Sequence, residues 1–150
     1  MTLKKYKNKR NFLKTNEPKA KIKKATNKNL IYVIQKHSAS HLHYDLRLEN
    51  AGVLWSWAVP KQPSDSGLKR LAVRVEDHPV DYASFEGEIP EGEYGAGTVK
   101  IWDKGTWLPQ SVEKDKIVFE LNGKKLKGNF VLVQLKNQPK NWLFFKLSKK

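Results

Sequence analysis

Residues 43–59, HYDLRLENAGVLWSWAV, contain the pattern that decides the fold. Polar and apolar residues alternate strictly from His43 to Glu49, and a second apolar and aromatic run covers 53–59. Period-two alternation predicts a β-strand with one buried face. Asn50-Ala51-Gly52, between the two runs, is a turn signal of the hairpin type. The stretch therefore predicts two antiparallel strands joined by a tight turn.

Runs of the same kind recur along the chain. Strands are predicted at 31–36, 43–49, 53–59, 70–76, 98–103, 117–121, 129–135 and 142–147. Only a short helix over 2–14 and a single turn over 80–85 are predicted as helical. Eight short strands with little helix indicate an antiparallel barrel or sandwich. Closure would remove exposed sheet edges, so we expect a mainly β fold, a small antiparallel eight-stranded β-barrel with a basic N-terminal extension.

Composition limits the chemistry that the chain can perform. The chain has 150 residues, a formal net charge of +14 and no cysteine. This length predicts one domain, and the lack of cysteine excludes disulfides, iron–sulfur clusters, thiolate zinc sites and cysteine nucleophiles. No apolar run approaches the ~18–20 residues of a spanning helix. The basic N-terminus lacks the apolar stretch of a secretory signal, so we expect a cytoplasmic protein with no membrane partner.

Positive charge is concentrated at the N-terminus. Residues 1–30 hold 11 Lys and Arg and a single acid, Glu17. We therefore divide the chain into a basic, flexible segment over 1–29 and a single β-barrel domain over 30–150. Lys and Arg that neutralise phosphates release counterions, which favours nucleic acid as the partner. A solubilising tail is the alternative interpretation of the segment.

Three of the four histidines, His37, His41 and His43, fall within seven residues, and Asp45 follows. Residues i and i+2 of a strand share a face about 6.5 Å apart, so His43 and Asp45 can converge on one ion. Either His37 or His41 would supply a second imidazole. Two imidazoles and a carboxylate suit manganese, iron or zinc and leave coordination positions open. The alternative is an ordinary half-exposed strand.

Arg47 lies two positions beyond Asp45 on the same strand face. Its planar guanidinium suits phosphate oxygens, and a metal ion beside it would stabilise charge on a phosphate. His78 leaves a strand end at Pro79, where a histidine is well placed for acid–base work or phosphate binding. A packing role for His78 is the alternative. Tyr82 either brings its hydroxyl to the same pocket or fills the core.

Two other functions fit parts of this pattern. His43, Asp45 and His78 imitate the two-histidine, one-carboxylate triad of a mononuclear iron oxygenase. A basic barrel rich in aromatic residues is also typical of a non-catalytic nucleic-acid-binding protein. Oxygen uptake with ferrous iron would favour the first, and DNA binding without end processing would favour the second.

Longer motifs follow one another along the chain. They are His37-x5-His43-Tyr44-Asp45-Leu46-Arg47-Leu48-Glu49, Ser56-Trp57-Ala58-Val59-Pro60-Lys61, Val75-Glu76-Asp77-His78-Pro79-x-Asp81-Tyr82 and Phe85-Glu86-Gly87-x-Ile89-Pro90-x-Gly92-x-Tyr94-Gly95-Ala96-Gly97. In this order they resemble the 3′-phosphoesterase domain of bacterial DNA ligase D, from about residue 5 to 147. We expect a stand-alone member of this family, without an attached polymerase or ligase domain.

The resemblance implies a small β-barrel that removes a 3′-terminal ribonucleoside and then the 3′-phosphate from DNA, leaving a 3′-hydroxyl. It implies His37, His43 and Asp45 as ligands of Mn²⁺ or another divalent transition metal. It implies Arg47 and His78 at the scissile phosphate, with Tyr82, Lys61 and Arg70 as supporting contacts. The implied partners are DNA 3′ ends, on a primer-template ending in a phosphate or ribonucleotide, and a separate ligase and polymerase. A monomer is expected, at the nucleoid if the source is prokaryotic.

The basic segment also carries a family motif. Lys9-Arg10-Asn11-Phe12-x-x-Thr15-x-Glu17-Pro18 resembles the family's opening segment, which implies substrate contacts by Arg10 and Glu17. Asn11 stands where the family usually has aspartate. If that carboxylate serves the ribonucleoside-removing step, this step is expected to be weaker here while phosphate removal persists.

Overall fold

The computed structural model describes residues 3–20 and 29–147. Its strands are β1 (Ile31–Ser38), β2 (Leu42–Asn50), β3 (Val53–Val59), β4 (Arg70–Pro79), β5 (Gly87–Ile89), β6 (Gly97–Val112), β7 (Lys116–Asn122), β8 (Lys127–Gln134) and β9 (Asn141–Lys146). A short helix, α1 (Lys4–Asn8), precedes them, and a 3₁₀ turn (Val80–Ser84) follows β4. Within the described ranges, no helix is long and apolar enough to cross a membrane.

All nine strands pair antiparallel in one sheet. Eight of them form the order β1-β2-β3-β4-β9-β8-β7-β6, and β6 pairs back onto β1 to close a barrel. The ninth, β5, pairs with residues 97–99 at the start of β6. The structure thus confirms the mainly β fold and the closed eight-stranded antiparallel barrel, with one strand added.

The eight predicted strands and the single turn near residue 80 are all present, but three elements differ from expectation. β6 was expected to end at residue 103 and continues to Val112, because its first part pairs with β1 and its second with β7. β5 was not predicted, because a strand of three residues is too short to show an alternation of polar and apolar residues. The helix expected over 2–14 covers only Lys4–Asn8, because a turn over 11–14 reverses the chain; residue 2 lies outside the described residues.

Apolar side chains fill the barrel interior. Tyr32 and Ile34 of β1, Leu46 and Leu48 of β2 and Trp57 of β3 belong to one buried cluster. The five tryptophans lie in or against this cluster, as expected: Trp57, Trp107 and Trp142 are buried, and Trp55 and Trp102 are partly buried. The strands that close the barrel therefore share one core.

A second buried cluster covers the outside of the barrel. Successive side chains of a strand point to opposite faces, so the residues between the interior positions point outward. Outward-pointing Val33 and Leu54 pack with Leu3 and Tyr6 of the N-terminal segment and with Tyr82 of the 3₁₀ turn. The outer face of β1–β4 is consequently buried as well, and polar residues on it are shielded from water.

The N-terminal residues 3–20 lie against the barrel. Tyr6 is fully buried, and its hydroxyl donates a hydrogen bond to the carbonyl of Pro18. The turn that follows α1 is closed by Lys14 N donating to Asn11 O at 2.9 Å. Residues 21–28, which belong to the same basic stretch, lie outside the described residues. The division into a segment over 1–29 and a domain over 30–150 stays a prediction.

Candidate active site

A cavity of about 280 Å³ lies on the outer face of β1–β4, against the N-terminal segment. Its lining includes most of the polar residues that the sequence singled out, namely Arg10, Glu17, His37, His43, Asp45, Arg47, His78 and Tyr82. Asp45 and Arg47 are only 6% and 3% exposed. These alternating polar residues therefore line a cavity and do not form the solvated face of an ordinary strand.

His37, His43 and Asp45 form a candidate metal centre, because one ligand atom from each lies within 4.8 Å of the others. The β1–β2 register places His37 directly opposite His43. Asp45 Oδ2 is 3.6 Å from His37 Nδ1, and its Oδ1 is 3.3 Å from His43 Nε2. His41 is exposed at the hairpin end. The second imidazole of this group is thus that of His37.

A backbone carbonyl holds the remaining nitrogen of each imidazole. His37 Nε2 donates to Gly95 O at 2.7 Å, and His43 Nδ1 donates to His41 O at 3.0 Å. Because a carbonyl only accepts, a ring proton lies on each of these two nitrogens, so in the neutral form of each ring the opposite nitrogen presents its lone pair toward Asp45. Metal-binding histidines have this arrangement. The donor set therefore fits a divalent transition-metal ion.

The charge of Asp45 is retained despite its burial. Burial raises the pKa of this carboxyl, but the Arg47 guanidinium and the two imidazoles outweigh burial and hold the pKa well below its usual range. Burial lowers the pKa of His43, while the Asp45 carboxylate raises it to a net value above the ordinary one. The shift of Asp45 reflects the positive charge and hydrogen-bonding groups around it, and the shift of His43 reflects the negative charge of Asp45, which a cation between these residues would also satisfy.

Arg47 has one nitrogen without a partner. Its Nε donates to Gln35 Oε1 at 2.7 Å, and its Nη2 lies 3.5 Å from Asp45 Oδ2. The ring of Tyr82 packs against the guanidinium, with 4.8 Å between Cζ and the ring centroid. Nη1 is buried and has no hydrogen-bond partner among the residues that the structure describes. An unpaired buried donor is costly, so Nη1 is suited to bind an oxygen of an anionic ligand.

His78 is held as a neutral imidazole. Its Nδ1 donates to the carbonyl of Glu76 at 2.9 Å, and its Nε2 accepts a hydrogen bond from Arg10 Nη2 at 3.3 Å. Burial, followed by the charges of Arg47 and Arg10, holds the pKa of His78 well below its ordinary value. His78 therefore presents a lone pair on Nε2 at neutral pH.

The N-terminal segment completes one wall of the cavity. Arg10 Nε donates to Glu17 Oε2 at 3.0 Å, and the Tyr82 hydroxyl donates to the same oxygen at 2.6 Å. Burial raises the pKa of Tyr82 well above its usual value; Arg47 lowers it and Glu17 adds to the rise. The phenol stays protonated, and its hydroxyl fixes the position of Glu17.

Known proteins resemble this chain over most of its length. The model of the DNA ligase D 3′-phosphoesterase domain matches residues 35–134. The chain belongs to this family. It is 48% identical to the multifunctional non-homologous end joining protein LigD of Pseudomonas aeruginosa and 45% identical to that of Mycolicibacterium smegmatis, over 94% and 92% of this chain. These alignments cover 18% and 19% of the two relatives, so the chain spans about a fifth of their length.

The 3′-phosphoesterase family resemblance also implied residues that the structure does not bring to the cavity. Lys61 is exposed, and Arg70 Nε donates to the carbonyl of Gln62 at 2.8 Å. Neither belongs to the lining formed by the described residues. Asn11 is exposed too, and its Oδ1 accepts from Leu13 N at 3.1 Å. Contacts of Lys61 and Arg70 with the substrate phosphate stay predictions.

Sequence reasoning missed three residues of this family site. Gln35 is fully buried and, besides accepting from Arg47, donates to the carbonyl of Tyr82 at 2.7 Å. Glu76 lies 3.5 Å from Arg10 Nη1, and Tyr94 lines the cavity mouth. Gln35 lies two positions before His37, and Glu76 lies two positions before His78, so each shares a strand face with its histidine. This i, i+2 spacing is the signal that could have found both. Tyr94 lies in a loop and has no such signal.

Proposed function

We propose that this chain is a metal-dependent DNA 3′-end phosphoesterase. It removes a 3′-terminal phosphate and, more slowly, a 3′-terminal ribonucleoside, leaving a 3′-hydroxyl for repair synthesis or ligation. The observation that carries the proposal is the convergence of His37, His43 and Asp45 beside the unpartnered nitrogen of Arg47. The names of the relatives, which specify non-homologous end joining, support DNA ends as the substrate. A ligase and a polymerase of that pathway are the proposed partners.

The proposed cofactor is Mn²⁺ or another divalent transition metal. His37 Nδ1, His43 Nε2 and the Asp45 carboxylate would hold it, because these are the atoms that converge. When bound, the ion supplies Lewis-acid stabilisation of the charge on the phosphate oxygens. Asp45 serves as a ligand at every physiological pH, because its lowered pKa keeps the carboxylate ionised.

Arg47 binds a non-bridging oxygen of the terminal phosphate through Nη1. Gln35 and Asp45 already hold its other nitrogens, so binding requires little reordering of the side chain. A fixed cation in a water-poor cavity stabilises the charge that develops on the phosphate more strongly than a solvated one does.

His78 accepts a proton from the nucleophile. Its pKa is lowered, so the ring is neutral, and Arg10 is the partner of the lone pair on Nε2 within the part of the chain that the structure describes. A water molecule takes the place of Arg10 at this lone pair and transfers its proton to Nε2 while its oxygen attacks phosphorus. The bond between phosphorus and the 3′-oxygen of the deoxyribose breaks, and the 3′-oxygen takes up a proton from solvent and leaves as the 3′-hydroxyl. The bond from Nδ1 to Glu76 O keeps the ring oriented during the transfer.

Phosphate removal is the main activity in this proposal. Asn11 stands where the family usually has a carboxylate, and its amide oxygen accepts from the backbone of its own turn. The ribonucleoside-removing step therefore proceeds without an acid at this position.

A labelled primer-template ending in a 3′-phosphate tests the function. With Mn²⁺ we expect release of the terminal phosphate, complete loss of release with a chelator, and recovery when Mn²⁺ is added in excess. The same duplex ending in one ribonucleotide should react more slowly. DNA binding that persists in chelator, with no phosphate release under any condition, would favour the non-catalytic barrel. Oxygen uptake with ferrous iron and no phosphate release would favour the oxygenase.

Two cations of the N-terminal segment should have different roles. Arg10 is buried against Glu17 and His78, whereas Lys7 is exposed. Arg10→Gln is expected to lower kcat/KM for phosphate release by about 100-fold, because misplaced groups cost that much in an active site. Lys7→Gln should leave kcat unchanged and reduce the slope of log K against log salt by about 0.7, the loss of one phosphate contact on a single strand.

Steady-state kinetics and DNA-binding titrations at several salt concentrations measure these effects. Both variants lose one positive charge from the same segment, so their net charges are matched. Thermal melts confirm that each variant is folded. If Lys7→Gln and Arg10→Gln lowered kcat/KM equally, the segment would act only through its charge and the role given to Arg10 would be wrong.

A further inference from the structure

One exposed aromatic side chain lies at the mouth of the cavity. Tyr94 keeps 46% of its surface exposed. Tyr82, the other tyrosine of the described lining, is 2% exposed, and its hydroxyl donates a hydrogen bond to Glu17. The steps proposed above assign no role to Tyr94.

Tyr94 is fixed relative to the candidate metal centre. It lies in a turn in which Ala96 N donates to Glu93 O at 3.1 Å. The carbonyl of the next residue, Gly95, accepts a hydrogen bond from His37 Nε2 at 2.7 Å. Gly95 has a φ of 78°, a backbone conformation that favours glycine. The turn that orients a metal ligand therefore also sets the position of the Tyr94 ring.

The N-terminal segment supports the same ring. Lys9 Nζ lies 4.7 Å and Arg10 Cζ 5.3 Å from the ring centroid. Lys9 Nζ also donates to the Tyr94 hydroxyl at 3.3 Å. These contacts hold the side chain in place while leaving nearly half of its surface open to a ligand.

The chemistry of a DNA end places a base near this ring. In a strand ending in a 3′-phosphate, the phosphate and the terminal base are attached to the same deoxyribose. When the phosphate is bound at Arg47, the base is therefore separated from the phosphate by a single deoxyribose. The cavity, at about 280 Å³, is slightly smaller than the usual range for ligand sites, about 300–1,000 Å³, so we expect the base to extend to the mouth. Tyr94 is the exposed aromatic surface there.

We propose that Tyr94 binds the nucleobase of the 3′-terminal nucleotide by stacking. The inference rests on the proposed function, because it requires the terminal phosphate to occupy the cavity. Every base has an aromatic face, so stacking recognises the presence of a base and not its identity. Tyr94 is in this view a substrate-binding residue that takes no part in proton transfer.

Two substrates test the proposal. One is a primer-template with a 3′-phosphate on an ordinary nucleotide, and the other has an abasic deoxyribose at that position. Tyr94→Ala is expected to raise KM for the ordinary substrate by about 10- to 100-fold, with kcat within about threefold of the wild-type value. On the abasic substrate KM should change by less than about twofold. Tyr94→Phe retains the ring and should behave like the wild type on both.

Equal increases in KM on the two substrates would overturn the stacking proposal. A loss in Tyr94→Phe as large as in Tyr94→Ala would also overturn it, and would assign the effect to the contact between Lys9 and the hydroxyl. Tyr94→Leu, which keeps apolar bulk without an aromatic face, replaces Tyr94→Ala if the latter does not fold.

Anisotropy measurements with the same two oligonucleotides separate this proposal from the proposed function. A chain that binds the ordinary end more tightly than the abasic end, with a preference that Tyr94→Ala removes, but releases no phosphate supports stacking and contradicts the phosphoesterase activity. Phosphate release without any preference for the ordinary end supports the activity and contradicts stacking.

Discussion

Asp45→Asn is expected to lower kcat/KM for 3′-phosphate release by at least about 1,000-fold. Asparagine preserves the shape of the side chain and one acceptor oxygen but removes the charge on which the two imidazoles converge. A metal ion supplies several kcal/mol of transition-state stabilisation, and each 1.36 kcal/mol corresponds to a tenfold change in rate. Loss of about 4 kcal/mol therefore gives the expected factor.

Metal binding by the Asp45→Asn variant is measured independently of turnover. A ligand that binds only the folded chain at about 100 times its Kd adds about 2.7 kcal/mol to the free energy of unfolding. For a domain of this size that corresponds to a rise in Tm of roughly 5–10 °C. We expect Mn²⁺ to raise the Tm of the wild-type chain by this amount and to leave the Tm of Asp45→Asn unchanged.

Asp77→Asn is the matched control. Asp77 also pairs with an arginine, since its Oδ1 lies 2.9 Å from Arg74 Nη2, but the cavity described here does not include it. It should keep both the activity and the response to Mn²⁺. A folded Asp45→Asn variant that retained a tenth of the wild-type activity, or whose Tm still rose with Mn²⁺, would show that Asp45 does not bind the metal.

Arg47→Lys is expected to lower kcat/KM by about 100- to 1,000-fold while the stabilisation by Mn²⁺ is retained. Losing one preorganised donor at a developing charge has an effect of this size. Lysine keeps the positive charge but lacks the planar fork, so it cannot bind Gln35, Asp45 and a phosphate oxygen at once. Kinetics on the 3′-phosphate substrate and thermal melts with and without Mn²⁺ measure the two effects.

Arg74→Lys provides the control for Arg47→Lys. Arg74 packs on the ring of Trp57, with 4.8 Å from Cζ to the centroid, and pairs with Asp77, as Arg47 does with Tyr82 and Asp45. The kcat/KM of the Arg74→Lys variant should stay within about threefold of the wild-type value. Comparable losses in the two variants would mean that any arginine packed on the barrel affects turnover. Loss of the Mn²⁺ response in Arg47→Lys would instead place Arg47 in the support of the metal centre.

The barrel was predictable because its strands alternate. The hairpin of β2 and β3 is encoded by local residue types, and the remaining long strands follow the same rule. The full length of β6 was not predictable, because its continuation beyond residue 103 depends on pairing with two other strands, β1 as far as residue 106 and β7 from there to Val112. A Cβ at Gly105 would lie 2.0 Å from the carbonyl oxygen of Asn122, so this glycine permits close approach to the end of β7. The local pattern of polar and apolar residues does not predict such a contact.

The site was predictable only in part. Strand parity pointed to His43, Asp45 and Arg47, but left His37 and His41 as alternatives, because the choice depends on the register across the hairpin. The same parity gave no indication that the polar face would be buried by residues 3–20, which are separated from it along the chain. Tyr94 enters the site through a loop, where no periodicity exists, and family resemblance alone suggested Lys61 and Arg70.

The carbonyls of Gly95 and His41 have a consequence for metal selectivity. They set the ring orientation of both histidines before any ion arrives, so loading the centre requires little reorganisation of the chain. Two imidazoles and one carboxylate accept the whole first-row divalent series, with affinity rising from manganese toward copper. A rigid site of this composition does not by itself reject the tighter-binding ions. Which metal occupies it would then be decided by the supply of each ion.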